Sequence, residues 1–178
     1  PGPIQRLRVE VDLAGRTVAT AGRDTLFVHA ALEDAAGTIV ANAWENVAFG
    51  VTGDARLVGA NPFSSDAGIA SILVDTPPGA SSAALYAVSM VRRDGDVRLL
   101  AATAPLLAEP RAYEVRYTTD GSAPGPGSTP YGAVIRGAQR VRAAMMVDDR
   151  VVAALDEATP KFRVRGSSAP ASREPFRH

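Results

Sequence analysis

The sequence predicts an all-β protein of antiparallel sandwich architecture. Three observations carry that expectation. Apolar and polar residues alternate with a period of two in several short runs, the pattern of half-buried strands. Turn residues punctuate the runs at intervals of about ten residues, as in antiparallel sandwiches. The chain also holds 16 Gly and 13 Pro among 178 residues. That exceeds the roughly 12% these two supply on average and favours a turn-rich architecture.

The elements follow in order. In Arg6 to Leu13, Leu7, Val9, Val11 and Leu13 point one way, with Arg6, Arg8, Glu10 and Asp12 between them. Ala14-Gly15 turns, Arg16 to Ala21 continues weakly as a strand, and Gly22-Arg23-Asp24 turns again. Leu26 to Leu32 is a β-like run closed by the turn residues Asp34 to Gly37. Thr38 to Val40 is short, Val47, Phe49 and Val51 alternate, and Ala55 to Gly59 follows the Gly53-Asp54 turn. Asn61 to Asp66 has loop chemistry, and Ile69 to Val74 is apolar up to the stop signal Pro77-Pro78-Gly79. Ala83 to Val91 and Val97 to Ala102 flank a hairpin with Asp94-Gly95 at its tip.

A break falls near Leu106 to Arg111, dividing residues 1–106 from 107–164. Tyr113, Val115 and Tyr117 then alternate, and Thr119 to Pro130 is dense in Gly, Pro, Ser and Thr. Val134-Ile135, Val141 to Val147 and Val151 to Leu155 are further candidate strands, the last two split by Asp148-Asp149. The Ala and Met content of Arg140 to Leu155 also suits a helix, but the charged turn between Val-rich blocks favours strands. Phe162 and Val164 suit a closing strand, and 165–178 reads as a tail.

Composition narrows the partners. Lys+Arg and Asp+Glu both number 19, so the formal net charge is zero. Binders of nucleic acid or anionic membrane usually carry a basic excess, so both lose weight. Hydrophobic residues make up 46%, enough for a core. Cysteine is absent, which removes disulfides and Cys-based metal sites, and two histidines, His29 and His178, cannot build a multi-histidine centre. No apolar stretch approaches the length of a membrane span. The start at Pro1-Gly2-Pro3, without Met or a signal-peptide pattern, suggests a piece of something longer.

Two segments resemble known families. The stretch from Asn46 through Phe49, Gly53 and Leu57 to Asn61-Pro62-Phe63 does so together with Asp24 to Asp34 upstream and Gly68 to Val74 downstream. It resembles the C-terminal immunoglobulin-like domain of glycoside hydrolase family 2, the β-galactosidases and relatives. Pro62 stands where many relatives have Gly after the Asn. Tyr117-Thr-Thr-Asp-Gly-Ser-Ala-Pro124, followed by Ser128-Thr-Pro-Tyr131 and Val141 to Val152, resembles the chitobiase/β-hexosaminidase C-terminal domain, a fibronectin-like sandwich. That family has a further pair of strands before the Tyr-Thr-Thr motif, and residues 101–112 are too few to supply it. The resemblance therefore implies two immunoglobulin/fibronectin III-like sandwiches, the second abbreviated or borrowing a strand from the first. It also implies a periplasmic or extracellular bacterial protein. The catalytic machinery of family 2 lies in a central (β/α)₈ barrel, which this chain is too short to hold.

The candidate residues divide between chemistry and packing. A glycosidase needs two carboxyls about 5 to 9.5 Å apart across a cleft. Glu33-Asp34, Asp148-Asp149 and Asp156-Glu157 all fall in expected turns, where Asp bonds backbone. No catalytic residue is assigned. His29 in its apolar run reads as a satisfied or surface strand histidine. No nucleophile elbow and no nucleotide-binding glycine pattern appears, and Gly121 to Gly125 sits between strands. Thr118, Thr119, Asp120 and Ser122 supply oxygens for calcium, but a capped turn with φ > 0 at Gly121 explains them with fewer carboxylates. No cofactor or metal is assigned.

Trp44, Tyr117 and Tyr131, with Asp120, form the candidate carbohydrate contacts, weighed against plain packing of the core and hairpin. Of Met145-Met146, one is expected in the core and the other at an interface, and Arg92-Arg93 reads as a solvated hairpin end. The expected function is a non-catalytic accessory region that supports the catalytic portion of a β-galactosidase-like glycoside hydrolase. A module binding polysaccharide is the first alternative. A cell-surface adhesion or spacer domain is the second, though no internal repeat is present.

Overall fold

The computed structural model describes residues 1–163. Within them the protein is all-β, with twelve strands in three four-stranded antiparallel sheets. The strands are β1 Arg6–Asp12, β2 Asp24–Glu33, β3 Asn46–Gly53, β4 Arg56–Val58, β5 Phe63–Ser64 and β6 Ile69–Thr76. They continue as β7 Ala83–Arg93, β8 Asp96–Pro105, β9 Glu114–Thr118, β10 Thr129–Pro130, β11 Arg142–Val147 and β12 Arg150–Asp156. Sheet A has the order β1-β2-β6-β4, sheet B β5-β3-β7-β8, and sheet C β10-β9-β11-β12.

The sheets stack in three layers with sheet B in the middle. Alternation along its strands sends side chains both ways. Val47, Phe49, Leu85, Ala87 and Leu100 face sheet A and join Leu7, Val9, Val28, Leu32, Ile72 and Val74 in one core. Ala48, Ala84, Tyr86, Val88, Met90, Val97 and Leu99 face sheet C and join Val141, Ala143, Met145, Val147, Ala153 and Leu155 in a second. The first eight residues of β7 are accordingly all buried. Sheet C has no opposing sheet of its own among the described residues, because sheet B serves as its second layer.

Turn chemistry sets the registers. Asp94 and Gly95 take φ values of 51° and 83°, and Asp148 and Asp149 take 50° and 60°. Both pairs suit the tight hairpins between β7 and β8 and between β11 and β12. Asn61-Pro62 is a cis peptide. The Asn61 side chain accepts from the Phe49 N–H and donates to the Phe49 carbonyl, both at 2.8 Å, and so extends the hydrogen bonding of β3 beyond β5.

Several expectations need correction. Arg16 to Ala21 forms no strand, because it wraps around Asp24. Arg16 Nη1 and Nη2 reach the Asp24 carboxylate at 2.6 and 2.8 Å, and the Ala19 N–H donates to it at 2.8 Å. Thr38 to Val40 and Val134-Ile135 give only single bridges, Ile39 to Glu33 and Ile135 to Val97. Asn61 to Asp66 is not all loop, since it contains β5. Met145 and Met146 are both buried, with a register shift between them against β12. Arg92 is not a free hairpin end. It lies on the sheet C side of β7, where Nε and Nη2 reach Glu157 at 2.8 and 2.7 Å. Phe162 lies outside any strand, whereas Val164 and the expected tail 165–178 lie outside the described residues.

Candidate functional site

The four candidate sugar contacts do not converge on one site; of them only Tyr117 and Tyr131 form a contact pair. Trp44 is half-buried just before β3. Its indole N–H donates to the Phe162 carbonyl at 3.4 Å, and the Arg163 guanidinium sits 4.6 Å from the ring centroid. One face of the ring is therefore engaged by a cation from the same chain. Tyr117 and Tyr131 do come together, edge to face with centroids 6.4 Å apart, and both pack on the second core. An edge-to-face pair presents no flat platform for a sugar ring. Asp120 caps the turn after β9. Its carboxylate accepts from the Ser122 N–H at 3.0 Å and from the Ser122 hydroxyl at 2.5 Å, and Gly121 has φ +85°. The Ser122 hydroxyl holds that carboxyl below the usual range.

A well-formed concavity lies where sheets B and C part. It is a cleft of about 480 Å³ with Met90 and Leu155 on its floor and Glu45, Gln139, Arg140 and Lys161 among its lining. Residues 157–161 run along it back to the β3–β5 edge. There the Asn46 side chain donates to the Thr159 and Pro160 carbonyls at 3.0 and 3.3 Å, and Ser64 Oγ donates to Asn46 Oδ1 at 2.6 Å. The sequence does not single out Glu45, Gln139 or Lys161, since no local pattern brings residue 45 to residue 161.

The chemistry of this cleft is defined by its ion pairs. Glu157 is held by Arg92, Asp156 by Arg140 at 3.0 and 2.5 Å, and Glu45 by Lys161 at 2.5 Å. Arg140 keeps the Asp156 carboxyl below its ordinary range, with help from the Ala158 N–H. A general acid in glycoside cleavage needs the opposite shift. The other acidic pairs serve structure. Glu33 accepts from Arg8 at 2.6 Å, Asp34 caps the turn through the Ala36 and Thr38 amides, both at 2.9 Å, and Asp148 pairs with Arg111 at 2.7 Å. Among the described residues no three His, Asp or Glu side chains converge on one point.

The outward face of sheet A presents a different kind of feature. Phe27 stands opposite Leu73, and Leu73 opposite Val58. Phe27 is 53% exposed and Val58 37%. His29 stacks beside Phe27 with centroids 5.9 Å apart and planes 7° from parallel, and its Nδ1 lies 2.7 Å from Ser71 Oγ. The apolar row is bordered on one side by the Arg56–Asp75 ion pair and on the other by His29 and Ser71.

No protein-family model matches the chain, and no curated protein matches it.

Proposed function

We propose that the chain is a non-catalytic accessory region of a β-galactosidase-like glycoside hydrolase, and that its role is architectural. The observation that carries this reading is the row Phe27, Leu73 and Val58 on a sheet face, in which Phe27 and Val58 are exposed and Leu73 is half-buried, with the Arg56–Asp75 ion pair at its border. An apolar strip with a polar rim is the anatomy of an interaction face. Behind it the doubly packed sheet B provides a stiff backing. The identity of the occupant, the catalytic portion of the parent enzyme, rests on the resemblance of residues 46–63 and 117–131. A periplasmic or extracellular setting belongs to the same proposal. The engaged ring of Trp44 and the crossed rings of Tyr117 and Tyr131 make sugar binding the weaker reading.

The test pairs an activity screen with a docking measurement. The chain alone is expected to release no product from aryl β-galactosides or aryl N-acetyl-β-glucosaminides. Supplying the catalytic portion is expected to slow hydrogen exchange along β2, β6 and β4, and Phe27→Asp to weaken that association at least tenfold. Turnover by the chain alone, or saturable glycan binding that quenches Trp44 fluorescence, would overturn the proposal.

A further inference from the structure

Strand β1 reads Arg-Leu-Arg-Val-Glu-Val-Asp from Arg6 to Asp12 and forms one edge of sheet A. Its charges are antisymmetric about Val9. Two arginines precede that residue and two acids follow it, at matching distances. If two copies of the strand lie antiparallel about a two-fold axis through Val9, Arg8 faces Glu10 and Arg6 faces Asp12. We propose that this edge is a self-pairing surface, and that a second copy of the chain joins β1 to β1 to make a continuous eight-stranded sheet.

The main-chain geometry suits that register. The Leu32 N–H donates to the Gly68 carbonyl beside β6, and the Leu32 carbonyl accepts from Val40. Even-numbered residues of β2 therefore direct their amides toward β6, and Phe27, His29, Ala31 and Glu33 direct theirs toward β1. The partners of those four are Asp12, Glu10, Arg8 and Arg6. Hence Leu7, Val9 and Val11 turn their N–H and C=O groups to the open edge. About six main-chain hydrogen bonds would form between two copies, Val9 to Val9 and Leu7 to Val11. The Arg–acid pairs then occupy the narrow, non-hydrogen-bonded positions, where side chains stand closest.

The charges also favour this register over its competitors. It sets four opposite-charge pairs and no like pair, whereas a slip of two residues sets Arg8 against Arg8 or Glu10 against Glu10 and keeps only two opposite-charge pairs. A slip of one residue turns the charged face into the core. Parallel pairing sets like charges together along the whole strand. On the other face Leu7 and Val9 are buried and Val11 half-buried in the first core, so joining the edges extends that core as well. The seam uses an edge and leaves the Phe27 row open, so it stands apart from the docking face proposed above.

The experiment is analytical ultracentrifugation of the whole chain across concentration, at about 50 mM and 500 mM salt. A monomer–dimer equilibrium that weakens at high salt is expected. Glu10 is exposed and its partner within the chain is Arg8, so Glu10→Arg gives up one surface ion pair, keeps the fold, and sets arginine against Arg8 of the second copy; it is expected to raise the dissociation constant at least tenfold. Hydrogen exchange gives a second readout without mutation: the Leu7, Val9 and Val11 amides should slow as concentration rises. A chain that stays monomeric at several hundred micromolar in low salt would overturn the proposal. So would a dimer indifferent to Glu10→Arg, or one that leaves those three amides unprotected.

Discussion

Asp24 shows how one side chain replaces a stretch of regular structure. Its carboxylate takes both Arg16 nitrogens and the Ala19 amide, and these hydrogen bonds, the Arg16 one foremost, lower its pKa to about 2. An unfolded aspartate titrates near ~3.9. The unfolded chain therefore binds more protons between about pH 4 and pH 2, and the stabilisation is complete above that window and lost as pH falls through it. Asp24→Asn is expected to lower stability at pH 7 by on the order of 1 kcal/mol, once the exposure of Arg16 is allowed for. The difference from wild type should vanish toward pH 2, and urea denaturation at pH 7, 4 and 2.5 reads it. Tyr86 offers a second residue-scale test. It is fully buried in the middle sheet, and its hydroxyl accepts from the Arg111 N–H at 2.8 Å, tying down the chain just before β9. Tyr86→Phe keeps the ring and strands that amide, so a loss of about 1 kcal/mol is expected in the same assay.

At the scale of elements, spacing between sheets is set by small residues. Ala48, Gly50 and Ala84 lie on sheet B under sheet C. A Cβ at Gly50 would lie 2.3 Å from the Val152 carbonyl oxygen and 2.7 Å from its carbon. Both contacts are with backbone, which yields only if β12 moves. Gly50→Ala is expected to cost about 1–3 kcal/mol, the range for overpacking a filled core. Gly125→Ala, with open space at the Cβ position, is the neutral control, and thermal melts of the two variants decide it. The period-two runs made β1, β2, β3 and the hairpins of Asp94-Gly95 and Asp148-Asp149 legible, because each depends on a local pattern. Arg16 to Ala21 misled because propensity says nothing of a carboxylate eight residues away. The cleft was illegible for a similar reason, since Glu45 and Lys161 are 116 positions apart and meet only once three sheets have stacked. One signal was present: Ala83 to Met90 lacks the polar alternation of β1, and an antiparallel strand without it is covered on both faces.

That double cover governs the whole molecule. The sequence break near Leu106 to Arg111 separates sheet C from the two sheets before it, yet the packing crosses that break. Tyr86, Val88, Met90, Val97 and Leu99 lose their covering layer if the chain is cut there, and Val141, Met145 and Leu155 lose theirs. Bridges between the parts add to this: Ile135 exchanges two 2.8 Å main-chain hydrogen bonds with Val97, Arg92 grips Glu157, and Asn46 holds the chain at Thr159. A body assembled this way unfolds as one unit. The full chain is therefore expected to melt in a single transition, with calorimetric and van't Hoff enthalpies equal. Residues 1–110 alone would bare one whole face of sheet B, a contiguous apolar surface of the kind that drives association. That fragment is expected to bind a hydrophobic dye strongly and to aggregate or melt well below the full chain. A soluble fragment that melts cooperatively within a few degrees of the full chain would mean that the first two sheets are self-sufficient and that sheet C is an ornament on their surface.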